Sequence, residues 1–215
     1  MPQTENASRE KILARIRTAL REPAPRHERS EARAIFAPVT DLLDRFQKEC
    51  TINITECVMI PDSRSAGTAV RDLLAAIPPG EIFVQDSPDL RQLAAAWQDG
   101  REIQWSSEGG PKEASQATIS GCEVLVAQTG SVLVSAACGG RGASVVAPVH
   151  IVVATVAQLV PDISAALARV QERGIVAQSS YLCLITGSSR TADIEKILVM
   201  GAHGPRRLIV VLAMS

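Results

Sequence analysis

The sequence predicts an α/β fold: a mixed, largely parallel sheet flanked by helices, with a helical extension at its N-terminus. From about residue 55 short apolar runs alternate with helical patterns, which is typical of βαβ units. Hydrophobic residues make up 46% of the chain and aromatic residues only 3%, so Val, Ile, Leu and Ala must build the core, as in buried parallel strands. A chain of 215 residues buries enough apolar surface for this without a disulfide or a metal.

The first 50 residues are predicted to form the helical extension. Residues 8–21 carry apolar residues on one helical face, and Ser8 is a suitable N-cap. Residues 22–30 contain two prolines and cannot continue that helix, so they are expected to form a linker. A second helix is predicted over 31–49. The α/β domain then occupies residues 51–215.

Within this domain, strands and helices are predicted from apolar runs and their flanking residues. The helix at 87–98 is marked by Ser87 as N-cap and Pro88 at its first position, and the helix at 160–174 ends at Gly174. The strands between 122 and 155 have connections too short for crossovers, so part of the sheet is antiparallel. The predicted strands are 57–61, 81–86, 102–105, 122–128, 131–136, 143–148, 150–155, 181–186 and 208–213, and the remaining helix is 63–77.

Composition excludes several classes of protein. The formal net charge of −1 provides no field that would attract nucleic acid, so no nucleic-acid partner is expected. Residues 142–161 carry no formal charge, but Pro148 and His150 interrupt them, which favours two buried strands over a membrane span. Five cysteines without a C-x-x-C pair and without a signal-peptide pattern indicate a reducing, cytoplasmic setting. Their spacing could hold no iron–sulfur cluster without a partner chain.

Two glycine-containing segments lie in a stretch where charge is scarce. Between residues 114 and 160 only Glu123 and Arg141 are formally charged. The segments "QTGS" (128–131) and "CGGRGAS" (138–144) could expose backbone amides to an anion, or could simply be hairpin turns. Arg141 suits a carboxylate or phosphate partner. His150 opens an apolar strand and is either a structural histidine or a proton-transfer group.

The segment "ITGSSRTADIEKILVMGAHGPRRLIVVL" (185–212) has the polar composition of a binding site. A strand, a Gly/Ser loop and a helix beginning at Thr191 would form an anion site, since the first amides of a helix lack partners. No Walker A or dinucleotide motif is present. Asp193, Glu195 and His203 could bind a metal, but their spacing matches no standard motif, so no metal site is predicted.

These segments resemble a known family. Residues 187–212, together with "AQTGSVLV" (127–134) and "RGASVVAPVHIVV" (141–153), are similar to the signatures of the lactate utilisation protein C family, whose domain is called LUD. The resemblance implies the NagB/RpiA/CoA-transferase-like fold. It also implies a part in oxidising L-lactate to pyruvate together with iron–sulfur partner proteins. Gln128 stands where the family pattern has an acid, which argues against a carboxylate nucleophile.

Carried over position by position, the resemblance gives a set of candidate site residues. The candidate acid–base residues are His150, His203 and Glu195. The candidate ligand-binding residues are Thr129, Gly130, Ser131, Arg141, Ser144, Ser188, Ser189, Arg190, Thr191, Asp193, Gly204 and Arg206. Because ligands collect at the carboxyl ends of strands, the loop after Thr186 is expected to face the pocket there, with Arg190 close to Thr129 and His150.

The function predicted from the sequence is that of a subunit in L-lactate utilisation that holds an anionic small molecule. No motif identifies a cofactor of this chain, and iron–sulfur clusters are expected only in its partners. Two alternatives stay open: a free-standing sugar-phosphate isomerase-like or acyl-transfer enzyme of the same superfamily, and a non-catalytic interaction module. Whether the chain is itself an enzyme is left open by the sequence.

Overall fold

The computed structural model describes residues 2–21, 37–97, 100–191, 199–200 and 204–215. The chain forms two compact units, residues 1–37 and 38–215. In the first unit, helix α1 (Pro2–Ala19) includes most of the predicted helix 8–21 but begins earlier. The predicted linker at 22–30 lies outside the described residues.

The second unit is built on a six-stranded sheet in which every pair of neighbouring strands is parallel. With strands numbered in chain order, its members are β1 (Thr55–Ile60), β2 (Ile82–Val84), β3 (Ile103–Trp105), β4 (Ala117–Ser120), β7 (Val149–Thr155) and β12 (Arg207–Ala213). Their spatial order is β1-β12-β7-β4-β2-β3. We call this the central sheet. It confirms the predicted α/β class with a largely parallel sheet.

The antiparallel pairing expected between residues 122 and 155 is found in a separate, four-stranded sheet, which we call the second sheet. Its members are β5 (Val124–Val126), β6 (Ser131–Ser135), β8 (Leu159–Val160) and β9 (Leu182–Ile185), in the order β8-β5-β6-β9. Strand β6 is antiparallel to both of its neighbours, whereas β5 and β8 are parallel. A further short antiparallel pair joins β10 (Arg190–Thr191) to β11 (Val199–Met200).

Helices and the second sheet cover the two faces of the central sheet. The helices of this unit are α2 (Leu42–Ile52), α3 (Ala66–Ala75), α4 (Pro88–Ala94), α5 (Ile163–Glu172) and α6 (Ile175–Gln178). Apolar residues of α3 and α4 pack against one face, and α2 and the second sheet pack against the other. Helix α5 covers the outer face of the second sheet. Phe46 and Cys50 of α2, from the predicted N-terminal extension, are buried in the core of residues 38–215.

Sequence signals for helix ends predicted the structure correctly where a capping residue was present. Ser87 caps α4 as predicted, with its hydroxyl oxygen 3.3 Å from the amide nitrogen of Leu90. Gly174 adopts φ 70° after α5, as a helix stop requires. Among the described residues, none of the helices has the length and apolar character to cross a membrane. Residues 142–161 instead contain β7, β8 and short helical turns.

The structure differs from the local predictions at two strands. The predicted strand 143–148 instead begins as a 3₁₀ turn (Arg141–Ser144) and continues as a turn and bends, with Val145 and Val146 exposed. Strand β4 was missed because the polar residues Thr118 and Ser120 interrupt its apolar pattern. Arg190 and Thr191 pair as β10 with Val199 and Met200, and the residues after Thr191, over which a helix was predicted, lie outside the described residues.

Candidate functional site

The signature segments meet at the amino edge of the central sheet, where β1, β7 and β12 begin. The hydroxyl of Ser188 donates to the carbonyl oxygen of Ile54, just before β1, at 3.2 Å. The amide of Ser189 donates to the carbonyl of Pro205, and the amide of Arg206 donates to the carbonyl of Pro148, each at 2.8 Å. Segments far apart in the sequence are therefore joined at this edge by short hydrogen bonds.

A chain of hydroxyl groups links the "QTGS" turn to the loop that follows β9. The hydroxyl oxygens of Thr129 and Ser131 are 2.7 Å apart, and those of Ser131 and Thr186 are also 2.7 Å apart. Ser131 is fully buried, while Thr186 is exposed. The chain therefore leads from the interior of the second sheet to the surface of the amino edge.

The two glycines next to this hydroxyl chain are required by close packing on the end of α2. Gly130 has φ 61° and Gly187 has φ 79°, both in the region that favours glycine. A Cβ on Gly130 would lie 2.8 Å from Cβ of Glu49, and one on Gly187 would overlap the carbonyl oxygen of Asn53. The side-chain amide of Asn53 also donates to the carbonyl of Thr129 at 2.9 Å. A structural role is therefore sufficient to explain both glycines.

His150 is buried on the face of the central sheet that packs against α2 and the second sheet. Its Nε2 is 2.9 Å from the Ser120 hydroxyl oxygen, and that hydroxyl donates to the carbonyl of Gly121. Because the serine has a single proton to donate, Nε2 of His150 is the donor in their contact. Burial lowers the pKa of His150 to about 4. The imidazole is therefore neutral at pH 7, with an unprotonated Nδ1.

Two buried polar atoms at this edge have no hydrogen-bond partner among the described residues. They are Nδ1 of His150 and the hydroxyl oxygen of Thr55. The parallel register places Thr55, Leu208 and His150 side by side on three neighbouring strands, so the two polar residues are roughly 10 Å apart. Buried polar atoms are usually hydrogen-bonded. Unpartnered atoms of this kind are candidates for contact with a ligand.

Arg141 and Ser144 lie on the 3₁₀ turn before β7. Arg141 is exposed, donates to the carbonyl of Ser180 at 3.3 Å, and lies over the Tyr181 ring with 5.6 Å to the ring centroid. The Tyr181 hydroxyl donates to the carbonyl of Gly140 at 2.9 Å, and burial raises the pKa of this phenol. Ser144 is buried. Within the described residues, Arg141 therefore contacts a carbonyl oxygen and an aromatic ring.

The remaining candidates divide into three groups. Gly204 lies against Ser189, since a Cβ on this glycine would be 3.2 Å from the Ser189 Cβ. Arg190 and Arg206 are exposed, and neither forms an ion pair with a carboxylate that the structure describes. Asp193, Glu195 and His203 lie outside the described residues.

The expected position of the loop after Thr186 was wrong. This loop lies at the amino edge of the central sheet, where Ser188 contacts Ile54 before β1. The reason is that β9 belongs to the second sheet, whose strands run in both directions, so the rule for the carboxyl ends of parallel strands does not place its loop.

The carboxyl edge of the central sheet holds a cavity that the candidate residues did not include. Its volume is about 450 Å³, and residues that follow β1, β2, β4 and β7 line it. Among them are Arg64, Gln85, Glu123, Cys138 and Gln158. Glu123 was recognisable as the only acid between residues 114 and 160. The other lining residues are separated in sequence and, although Cys138 opens the "CGGRGAS" segment, no single motif groups them.

Comparisons with known proteins identify the family. A model of the LUD domain matches residues 112–213. Lactate utilization protein C of Bacillus velezensis is 32% identical over 188 residues, which cover 80% of this chain and 78% of that protein. The chain belongs to the lactate utilization protein C family. The protein of the same name from Geobacillus thermodenitrificans is 29% identical over 184 residues, covering 78% of this chain and 76% of that protein.

A solved structure is similar to this member of the lactate utilization protein C family in fold. It is a protein of the DUF162 family from Deinococcus radiodurans, with a TM-score of 0.61 and 18% sequence identity, covering 80% of this chain and 96% of that one. The matched LUD range contains all the candidate residues at the amino edge, since they lie between residues 129 and 206. Arg64 and Gln85 of the carboxyl-edge cavity precede that range.

Proposed function

We propose that this chain is a component of an L-lactate utilisation system, in which it holds a small anionic molecule at the amino edge while iron–sulfur partner proteins carry the electrons. Its relatives are named lactate utilization protein C, and this name supports the part in lactate utilisation. The ligand, the partners and the position of the site are the components of the proposal that need experiments.

The observation that carries the ligand proposal is the convergence of signature residues at one edge. A hydrogen bond from the Ser189 amide to the Pro205 carbonyl joins the backbones of the two segments. Arg190 follows Ser189, and Arg206 follows Pro205, so each arginine is the residue directly after a hydrogen-bonded position. Exposed guanidinium groups without a carboxylate partner are suitable donors to a carboxylate. The nearby hydroxyl chain and the unpartnered atoms of Thr55 and His150 supply further polar contacts.

The chemistry of a 2-hydroxy acid matches this set of groups. Its carboxylate can accept from guanidinium and hydroxyl groups, and its hydroxyl can donate to an unprotonated imidazole nitrogen. His150 at pH 7 is neutral and, with the proton on Nε2, offers Nδ1 as an acceptor. The residue would thus orient a hydroxyl group, and its low pKa makes it a weak base.

Binding of L-lactate and pyruvate to the purified chain tests the ligand proposal, measured by isothermal titration calorimetry. We expect both to bind, and we expect the Arg206→Gln variant to bind them up to about fivefold more weakly, because an exposed charge-assisted contact contributes up to about 1 kcal/mol. Arg71→Gln is the matched control, since Arg71 is exposed on α3 and, among the described residues, forms an ion pair with Asp72 alone. Binding of a sugar phosphate or coenzyme A, but of neither lactate nor pyruvate, would contradict the proposal and favour the alternative enzyme.

Purification of the chain from its native cells tests the partner proposal. We expect co-purifying proteins that contain iron and acid-labile sulfide, and we expect the isolated chain not to oxidise L-lactate. Robust lactate oxidation by the isolated, cofactor-free chain would contradict the need for partners. Deletion of residues 1–37, which form a separate compact unit, then shows whether α1 contributes to the association.

A further inference from the structure

The cavity at the carboxyl edge has the position of a ligand site that is independent of the amino edge. Ser63 and Arg64 reach it after β1, Gln85 after β2, Gly121 after β4, and Thr155 at the end of β7. In open parallel sheets, ligands characteristically bind outside the carboxyl ends of the strands. Its volume of about 450 Å³ lies within the range of small-molecule pockets.

The polar groups of the cavity are held in place by the surrounding backbone. The side-chain oxygen of Gln85 accepts from the amide of Gly121 at 2.8 Å, which leaves the Gln85 amide nitrogen to donate. Gln158 uses both ends of its amide, accepting from the Thr155 amide at 2.8 Å and donating to the Cys122 carbonyl at 2.6 Å. Gln85 is therefore a fixed donor, and Gln158 is a fixed part of the wall.

The thiols and the buried carboxylate of the cavity favour non-covalent binding. Burial raises the pKa of both Cys122 and Cys138, so these side chains are protonated thiols and weak nucleophiles. The Glu123 carboxylate accepts from the Ser135 hydroxyl at 2.7 Å and forms an ion pair with Arg173 at 3.4 Å. Arg173 and the Ser135 hydroxyl thus balance the negative charge of Glu123. Among the described residues, no group of His, Cys, Asp and Glu could hold a metal ion.

The two remaining charges of the cavity wall have opposite signs. Arg64 and Asp89 are exposed, and neither forms an ion pair with any residue that the structure describes. A simple anion would be repelled by Asp89, and a simple cation would be repelled by Arg64. A molecule that carries both charges satisfies both residues. Leu90, Leu93 and Val153 add an apolar wall.

We propose that this cavity binds a small zwitterion with an apolar side chain, which is the chemistry of an aliphatic α-amino acid. Its carboxylate pairs with Arg64, its ammonium group pairs with Asp89, and its side chain packs against Leu90 and Leu93. The Gln85 amide nitrogen donates a further hydrogen bond to the carboxylate. This site is separate from the anion site at the amino edge and does not depend on it.

Three related ligands test the need for both charges: L-leucine, isocaproate, which lacks the ammonium group, and isopentylamine, which lacks the carboxylate. We expect L-leucine to raise the melting temperature of the full chain and to give a calorimetric binding isotherm, and the other two to bind about fivefold more weakly, since each lacks one ion pair. Isocaproate or isopentylamine binding as tightly as L-leucine would overturn the proposal, and so would the absence of L-leucine binding.

Substitutions of residues that line the cavity test whether L-leucine binds there. We expect Arg64→Gln and Asp89→Asn each to weaken L-leucine binding by about fivefold, while Arg71→Gln leaves it unchanged. Both substituted residues are exposed, so the variants are expected to fold. Gly121→Leu should block binding by filling the cavity, with Gly121→Ala as its control. L-Leucine binding that survives both charge variants would overturn the site. Loss of L-lactate binding in Arg64→Gln would instead contradict the amino-edge proposal.

Discussion

The two edges of the central sheet differ in what holds them together. At the amino edge, glycines pack on the end of α2, hydroxyls bond to one another, and backbone hydrogen bonds join the signature segments. At the carboxyl edge, separate loops surround an open volume whose two exposed charges, Arg64 and Asp89, form no ion pair with the described part of the chain. In this protein the sequence motifs occur where the backbone is tightly constrained, whereas the open cavity is formed by residues that share no local sequence pattern.

The two edges are expected to differ most in how much a single added methyl group lowers the free energy of unfolding. Gly187→Ala introduces a Cβ that overlaps the Asn53 carbonyl oxygen at a φ of 79°, so we expect a loss of about 3 kcal/mol or more in the free energy of unfolding. Gly121→Ala, where the nearest atom would be 3.5 Å from the new Cβ, should change stability by less than about 1 kcal/mol. Urea denaturation measures both, and equal stabilities would contradict the tight packing at the amino edge.

The second prediction concerns the pH dependence that His150 gives to stability. Burial lowers its pKa from 6.5 to about 4, so between these values the unfolded chain binds a proton that the folded chain does not. Stability is therefore complete above pH 6.5 and falls as the pH drops toward 4, by up to roughly 3 kcal/mol. Denaturation of the wild-type chain and of His150→Gln at pH 7.5 and 4.5 isolates this contribution. An unchanged pH dependence in the variant would contradict it.

The third prediction concerns the buried carboxylate at the carboxyl edge. Glu123→Gln removes an ion pair with Arg173 and weakens the hydrogen bond from the Ser135 hydroxyl. Because hydrogen bonds to charged groups contribute about 1.5–3 kcal/mol, we expect a loss of that size in the free energy of unfolding at pH 7. Chemical denaturation measures it, and a neutral effect would indicate that Glu123 does not stabilise the cavity wall.

The smallest effect is expected for the exposed ion pair at the amino edge. Arg207 donates to both oxygens of Glu56, at 2.7 and 2.8 Å, and the guanidinium holds the pKa of Glu56 below its usual 4.5. This stabilisation is present above pH 4.5 and is lost as the pH falls through the lowered pKa. Since both side chains are partly exposed, Glu56→Gln should cost less than about 1 kcal/mol at pH 7. A loss of stability as large as that of Glu123→Gln would contradict the expectation that this exposed ion pair stabilises the fold less than the buried carboxylate does.

Prediction from sequence succeeded where local chemistry determines structure. Ser87 and Pro88 marked the start of α4, and the apolar runs marked β1, β7 and β12. It failed where pairing between distant segments decides the structure. The polar residues Thr118 and Ser120 interrupt the apolar pattern of β4, which lies inside the central sheet. The separation of the antiparallel strands into a second sheet depends on contacts such as that of β6 with β9. The cavity could not be predicted because Arg64, Gln85 and Glu123 come together only through the fold.

The most direct test of the proposed anion site is L-lactate titration of two variants that alter different edges of the central sheet. Arg190→Gln combined with Arg206→Gln removes the two amino-edge guanidinium groups that lack an ion pair within the described residues, and Arg64→Gln removes the corresponding group of the carboxyl edge. We expect the double variant to bind L-lactate about tenfold or more weakly than the wild-type chain, and Arg64→Gln to bind it normally. Normal binding by the double variant with loss in Arg64→Gln would contradict the assignment of the anion to the amino edge.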